Sequence, residues 1–191
     1  MNRPSWVYVL AEDKRQQQLI YRFLVAAGVN PRQVQFELSP AGQGSAEQWV
    51  RENFARQAGK CRARNARAAT GMFVITDADT RTVQERLNIL DEALSAAGQT
   101  PIDASRDPIA RLIPKRNVET WILVLGSKDT AVEEVTDYKS TKTSEEWSAL
   151  ISSAAETLVA WTRPSATLPA SLIDSLRRGV GEIPRALPQG N

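Results

Sequence analysis

The sequence predicts an α/β protein in which a mostly parallel sheet of about four strands is flanked by helices. Short apolar runs recur along the chain, segments with apolar residues at helical spacing separate them, and no internal repeat or low-complexity tract interrupts the alternation. The chain has 191 residues, of which 42% are hydrophobic, enough for one ordinary domain with a small appendage. We expect residues 1–126 to form the α/β domain and residues 127–191 a helical extension packed on it.

Four runs of about five mostly apolar residues predict the strands. They are Trp6–Leu10, Val34–Leu38, Met72–Thr76 and Ile109–Ile113. The first and third, WVYVL and MFVIT, are typical of strands buried on both faces, whereas Arg111 weakens the pattern of the fourth. Because helix-length segments separate the strands, we expect β-α-β crossovers and hence parallel strands.

Apolar residues spaced three or four apart predict six helices. The first predicted helix ends at Gly28, and the second begins at Ser45. The third runs from Val83 to Leu94, and the fourth follows Asn117 through VETWILVL. The last two span about Ser144–Trp161 and Pro169–Arg178. Ser45 with Gln48 three residues later resembles a capping box, and Asn117 is a suitable helix cap. The tail from Gly179 contains two prolines and three glycines, so we expect it to be loosely held.

The composition excludes several catalytic classes. The chain has no histidine and one cysteine, which rules out a Ser-His-Asp triad, a Cys-His dyad and a Cys/His zinc site. Cys61 has basic neighbours that would favour a thiolate, but without a histidine base we favour a small side chain on a helix. Hydrolytic chemistry must therefore use carboxylates, lysine, tyrosine or a metal. No apolar run approaches the roughly 20 residues needed to cross a bilayer, so we expect a cytoplasmic protein without a membrane partner.

Four carboxylates follow two predicted strands. Glu12 and Asp13 come after the first strand, and Asp77 and Asp79 come after the third. The carboxyl ends of parallel strands share one edge of the sheet, where such acids would repel one another unless a cation lay between them. Oxygen ligands select Mg²⁺ or Mn²⁺, either of which suits phosphodiester chemistry. The alternative is that these acids only cap helices, as Asp79 could for a helix starting near Thr80.

Polar residues after the fourth strand should approach the same edge. Lys115 and Arg116 could hold a phosphate or stabilise transition-state charge, and we count Lys115 as a candidate catalytic residue. Glu119 is either a further metal ligand or an ordinary acid at a helix start. Trp121 lies on an apolar helix face and is expected to pack in the core.

Charge is unevenly distributed. Residues 45–71 contain six basic and two acidic residues, a local balance of +4, whereas residues 129–157 contain seven acidic residues and two lysines. Four basic residues at intervals of four, four and three predict a stripe along the second helix. They are Arg56, Lys60, Arg64 and Arg67. With Arg116 they could contact a nucleic-acid backbone, although such runs of charge are often only solvated faces. No aromatic residues for base stacking are interleaved with the stripe, so it favours duplex DNA over single strands. RNA stays open as a substrate.

Three segments, VYVLAED, FVITDAD and LIPKRNVETWIL, resemble the small stand-alone Toprim-type proteins of bacteria, relatives of the overcoming-lysogenisation-defect nucleases, over roughly residues 6–125. The resemblance implies a Toprim-like sheet. It implies that Glu12 helps to bind metal or acts as general acid or base, and that Asp77 and Asp79 bind Mg²⁺. It also implies a nuclease that acts beside an ATPase in defence against phage. Since the chain contains no P-loop, that ATPase would be a partner chain.

Two residues depart from the family pattern. Asp13 stands where many Toprim sequences have glycine, and Gln16 stands where nuclease relatives often have another acid. An amide binds metal more weakly than a carboxylate, which puts a second metal in doubt.

Three other functions stay open. The chain could be a non-catalytic Toprim-like module whose acidic carboxy-terminal helices dock a partner, or an enzyme of nucleotides or small phosphate esters. A primase or topoisomerase component is disfavoured by the size of the chain and by its tyrosines, since Tyr8, Tyr21 and Tyr138 all have structural settings.

Overall fold

The sheet contains four parallel strands in the order β2-β1-β3-β4 in the computed structural model, which describes residues 5–40, 45–127 and 131–187. The strands are β1 (Trp6–Ala11), β2 (Val34–Leu38), β3 (Thr70–Ile75) and β4 (Ile109–Leu112). The predicted α/β class, with a mostly parallel sheet of about four strands and helices at the carboxy-terminal end, is confirmed. The architecture is consistent with a Toprim-like fold.

Six helices of the described ranges surround the sheet. They are α1 (Lys14–Ala26), α2 (Ala46–Asn65), α3 (Val83–Ala96), α4 (Val118–Ser127), α5 (Ser144–Trp161) and α6 (Asp174–Ala186). A short 3-10 turn, Pro31–Gln33, precedes β2. Not one of these helices is both long enough and apolar enough to cross a membrane.

Side-chain caps fix where several of these helices begin. The carboxylate of Asp13 accepts a hydrogen bond from the N–H of Gln16, and the hydroxyl of Ser45 accepts one from Gln48. Helices α3 and α5 begin with complete capping boxes, at Thr82 and Thr143. Because Thr82 is the cap of α3, the alternative in which Asp79 caps a helix near Thr80 is wrong.

Helices cover both faces of the sheet, and alternate strand residues point to opposite faces. On one face, Val9 and Phe73 share a core with α1, α4, α5 and α6. On the other, Leu10 and Val74 share a second core with α2 and α3. All six residues of β3 are buried, as expected for an interior strand of a parallel sheet.

The carboxy-terminal helices belong to the first of these cores. Trp121 on α4 is 1% exposed, and its indole N–H donates to the hydroxyl of Ser175 on α6 at 2.8 Å, so its predicted core role is confirmed. Helix α6 begins at Asp174 rather than near Pro169. It continues through Val180 and Ile183, both buried, so the expectation of a loosely held tail is wrong as far as residue 187. Residues 188–191 lie outside the described ranges.

Cys61 is fully buried on α2, in the core beneath β1 and β3. Burial raises the pKa of its thiol to about 12, so the thiolate that its basic neighbours would favour does not form at neutral pH. The structure thus favours the packing role expected for this residue.

Candidate active site

The first and third strands place two acids side by side. Ala11 at the end of β1 is paired with Ile75 at the end of β3, so Glu12 and Asp77 leave neighbouring strands at the same edge of the sheet. The carboxylate of Glu12 accepts a hydrogen bond from the hydroxyl of Thr76. These acids open onto a cleft of about 130 Å³. It is lined by Glu12, Glu47, Asp77, Asp79, Arg86, Arg116 and Lys139.

Both acids are held in surroundings that oppose their ionisation. Burial raises the pKa of Asp77 well above its ordinary value, and the negative charge of Glu12 raises it further. Burial also raises the pKa of Glu12, by more than the hydrogen bond from Thr76 lowers it. A positive ion beside the two groups would relieve this penalty, and that makes the pair a candidate ligand set for a metal.

Gln16 links the two acids through its amide. Its side-chain oxygen accepts from the backbone N–H of Glu12 at 2.9 Å, and its NH₂ donates to the carboxylate of Asp77 at 3.0 Å. The N–H of Glu12 fixes the orientation of the amide, since only the oxygen can accept from it. Gln16 stands where the resemblance leads one to expect an acid. Its hydrogen bond uses part of the capacity of the Asp77 carboxylate to bind a metal ion.

Asp79 lines the same cleft as the other two acids, but its carboxylate is already paired. Its backbone has φ of 57°, in the left-handed region, its side chain is 62% exposed, and its carboxylate pairs with Arg116. Within the described residues, no three Asp, Glu, His or Cys side chains are arranged to hold a metal ion together. The predicted set of Glu12, Asp77 and Asp79 is therefore not assembled. The remaining pair still fits Mg²⁺, which is often bound by one or two carboxylates with water and substrate phosphate completing its shell.

The other two predicted ligands have different partners. Asp13 caps α1 and does not line the cleft. Glu119 is 1% exposed and pairs with Arg15, whose guanidinium lies 5.3 Å from the ring centroid of Trp147. One carboxylate oxygen of Glu119 is buried without a hydrogen-bond partner among the described residues. The charge of Glu119 contributes to raising the pKa of Asp77, after burial and Glu12, so it lies near the cleft without opening onto it.

Two cations of the cleft were not expected from the sequence. Arg86 on α3 is 4% exposed, donates to the backbone carbonyl of Asp77 at 2.9 Å and pairs with Glu47 at the start of α2. Arg86 comes three residues after Val83 and so lies on the apolar side of the helix. A charged residue at such a position is a signal in the sequence that could have identified it. The ammonium of Lys139 lies 3.9 Å from the carboxylate of Asp77. Nothing in the local sequence of its loop indicates that contact.

Lys115, predicted to be catalytic, does not line the cleft. Its ammonium donates to the backbone carbonyl of Arg81 at 2.6 Å, in the loop that follows the two aspartates. Lys115 thus supports the loop from outside, and Arg116, the next residue, is the one that enters the cleft.

The predicted basic stripe lies apart from the cleft. Arg56 and Lys60 approach Glu37 of β2 at 3.0 and 3.9 Å. Arg64 lies 4.4 Å from the ring centroid of Trp6, which begins β1 at the opposite edge of the sheet. Arg67 follows the end of α2 at Asn65, so its predicted place on the helix is wrong. We call Arg56, Lys60 and Arg64 the basic surface.

Comparison of the chain with protein-family models, with curated proteins and with solved structures finds no match. The resemblance to Toprim proteins therefore stays a prediction.

Proposed function

We propose that this chain is a Mg²⁺- or Mn²⁺-dependent phosphodiesterase whose active site is the cleft between the ends of β1 and β3. One observation carries the proposal: Glu12 and Asp77, two acids whose pKa values burial raises, share a small cleft with three cationic side chains. Such a combination suits a divalent ion together with a phosphoryl group.

The proposed substrate is nucleic acid, with DNA preferred over RNA. The basic surface on α2 supports it, because side chains of this kind contact the phosphate backbone without selecting a sequence. An ATPase partner and a role in defence against phage belong to the same proposal and rest on the resemblance alone. The proposed cytoplasmic location rests instead on the lack of an apolar run of bilayer length in the sequence.

In the proposed mechanism, Glu12 and Asp77 would hold the ion, which, when bound, would polarise a phosphoryl oxygen and lower the pKa of an attacking water. The hydroxyl of Thr76 orients the carboxylate of Glu12. Arg86 positions the backbone of Asp77 by donating to its carbonyl, and an ion pair with Glu47 holds Arg86 in turn. Arg116 and Lys139 supply positive charge for the non-bridging oxygens of the substrate, where negative charge grows in the transition state.

A plasmid-nicking assay with Mg²⁺ and with Mn²⁺ tests this proposal. Wild-type protein should nick the plasmid, and Asp77→Asn should lower the rate by roughly 100-fold or more, the scale expected for loss of a catalytic group. Glu156→Gln, which removes an exposed acid on α5, is the matched control and should retain the wild-type rate. Equal rates for wild type and Asp77→Asn would remove the cleft as the active site.

A non-catalytic interaction module is the second candidate. The pairing of Asp79 with Arg116 and of Glu119 with Arg15 favours it, because two acids that the catalytic hypothesis assigned to metal are already neutralised. This candidate predicts no nicking and no rise in melting temperature on addition of Mn²⁺. A clear Mn²⁺-dependent rise that Asp77→Asn abolishes would argue against it.

A further inference from the structure

We infer that Lys139 and Arg116 together bind one phosphoryl group in the cleft. Lys139 is held by Asp77 until a divalent ion enters, so that metal and phosphate bind to the cleft cooperatively. The inference rests on the proposed function and adds to it a binding site for one phosphoryl group, with Lys139 as its principal residue.

Lys139 is placed so that its backbone is held while its ammonium can move. Its N–H donates to the carboxylate of Asp137 at 3.0 Å, and its carbonyl accepts from Arg15 at 3.3 Å. The side chain is 51% exposed and approaches Asp77 to only 3.9 Å, longer than a hydrogen bond. The ammonium thus acts as a loose counterion for Asp77, on a loop whose position does not depend on that contact.

Arg116 has a similar choice of partners. Its guanidinium pairs with Asp79 and lies 3.7 Å from the carboxylate of Asp137. Asp137 is fixed by Asn117, whose NH₂ donates to it at 2.8 Å. Within the cleft, Arg116 can therefore exchange Asp79 for another anion while Asp137 stays close to its guanidinium.

The charges around the cleft explain why the two ligands should be linked. Of its three cations, Arg86 is buried and paired with Glu47, which leaves Lys139 and Arg116 as the cations that can move. A divalent ion at Glu12 and Asp77 would replace Lys139 as counterion and repel it. The released ammonium is then available to bind a phosphoryl oxygen in the same cleft. By linkage, phosphate must favour metal binding to the same extent.

The size of the cleft sets the class of ligand. Its volume of about 130 Å³ lies below the roughly 300–1,000 Å³ of pockets that enclose whole drug-sized ligands. We therefore expect it to admit one phosphoryl group of a monoester or diester, with the remainder of the substrate outside.

Electron paramagnetic resonance of free Mn²⁺ measures the affinity of the protein for Mn²⁺ with and without inorganic phosphate, and it does not require turnover. In wild-type protein, phosphate should tighten Mn²⁺ binding by about fivefold or more. Lys139→Ala should bind Mn²⁺ alone roughly threefold more tightly, because a competing cation is gone, and should lose most of the effect of phosphate. Lys139→Arg should restore that effect.

Lys142→Ala is the matched control, since it removes one positive charge from the same loop, and it should behave as wild type. Arg116→Ala should also weaken the effect of phosphate. Unchanged Mn²⁺ affinity in Lys139→Ala, or a loss of Mn²⁺ and phosphate binding together in that variant, would overturn the inference, while Mn²⁺ binding by the wild-type protein would still support the metal site. Absence of Mn²⁺ binding in wild-type protein would instead overturn the proposed function and, with it, this inference.

Discussion

At the residue scale, Asp77 is the group on which the site depends. The residue is 5% exposed, and its carboxylate lies beside the amide of Gln16, the ammonium of Lys139 and the negative charge of Glu12. One neutral hydrogen bond and one loose cation offset only part of the cost of burying a charge. A carboxylate kept in such a place lowers stability at neutral pH, and such a cost is characteristic of functional sites.

We predict that Asp77→Asn stabilises the metal-free protein at neutral pH. Burial raises the pKa of Asp77 well above 3.8, so the stability that this group contributes is present below about pH 4 and is lost as the pH rises through the raised pKa. Asparagine does not ionise and can still accept the hydrogen bond from Gln16. The gain should be roughly 1–3 kcal/mol at pH 7 and should vanish near pH 3.

Urea unfolding in the presence of a chelator, repeated across that pH range, measures the difference. Some pH dependence should remain in the variant, because burial raises the pKa of Glu12 as well. Glu156→Gln serves again as the control and should follow the wild-type curve. A loss of stability of equal size at every pH would mean that ionisation of Asp77 carries no penalty.

The sequence could predict part of this site because position along a parallel strand fixes position at the edge of the sheet. Glu12 follows β1 directly and Asp77 comes two residues after β3, so the pairing of Ala11 with Ile75 brings them together. Asp79 could not be placed in the same way, since two residues later the chain turns through a left-handed conformation. Lys139 comes from a distant loop whose path depends on tertiary contacts that leave no local pattern.

At the element scale, α6 shows how composition can mislead. Glycine and proline usually mark loops, yet Gly179 and Pro184 both lie inside this helix. A Cβ at Gly179 would overlap the indole ring of Trp121, and that ring is buried and fixed by its hydrogen bond to Ser175. Gly179 is therefore needed for close packing, a requirement that appears only once α4 and α6 are in contact. The strands were predictable because their buried character is local to each run.

Two glycines of α6 provide a matched test of this packing. Gly179→Ala should destabilise the protein by roughly 1–3 kcal/mol, because neither the helix nor Trp121 can move without cost. Gly181→Ala, with no atom within 4 Å of the added methyl, should stabilise it by up to about 1 kcal/mol through helix propensity alone. Thermal unfolding followed by circular dichroism measures both. Similar effects of the two substitutions would show that α6 does not pack against Trp121 as described.

At the scale of the whole molecule, α2 connects the cleft to the basic surface. Glu47 in its first turn lines the cleft, whereas Arg64 in its last turn lies over Trp6 at the far edge of the sheet. Twenty residues of helix span about 30 Å, roughly nine base pairs of duplex. A duplex lying along α2 could therefore contact the basic surface and present one phosphate to the cleft, and a small phosphate ester would contact the cleft alone.

Neutralising the basic surface should separate these two kinds of substrate. The double substitution Arg56→Gln with Lys60→Gln should weaken DNA binding by at least about fivefold. It should also reduce the slope of log affinity against log salt by about 2, because each of the two cations would neutralise one phosphate and release one counterion. Hydrolysis of bis(p-nitrophenyl) phosphate should stay at the wild-type rate, because both residues pair with Glu37 rather than line the cleft.

Fluorescence anisotropy of a labelled duplex across a salt series measures the effect on DNA binding. Arg163→Gln, at an exposed position after α5, is the control for charge alone. If the double variant binds and cuts DNA as wild type does, the backbone does not lie along α2. If DNA is bound by neither protein while the small ester is hydrolysed by both, the enzyme acts on small phosphate esters.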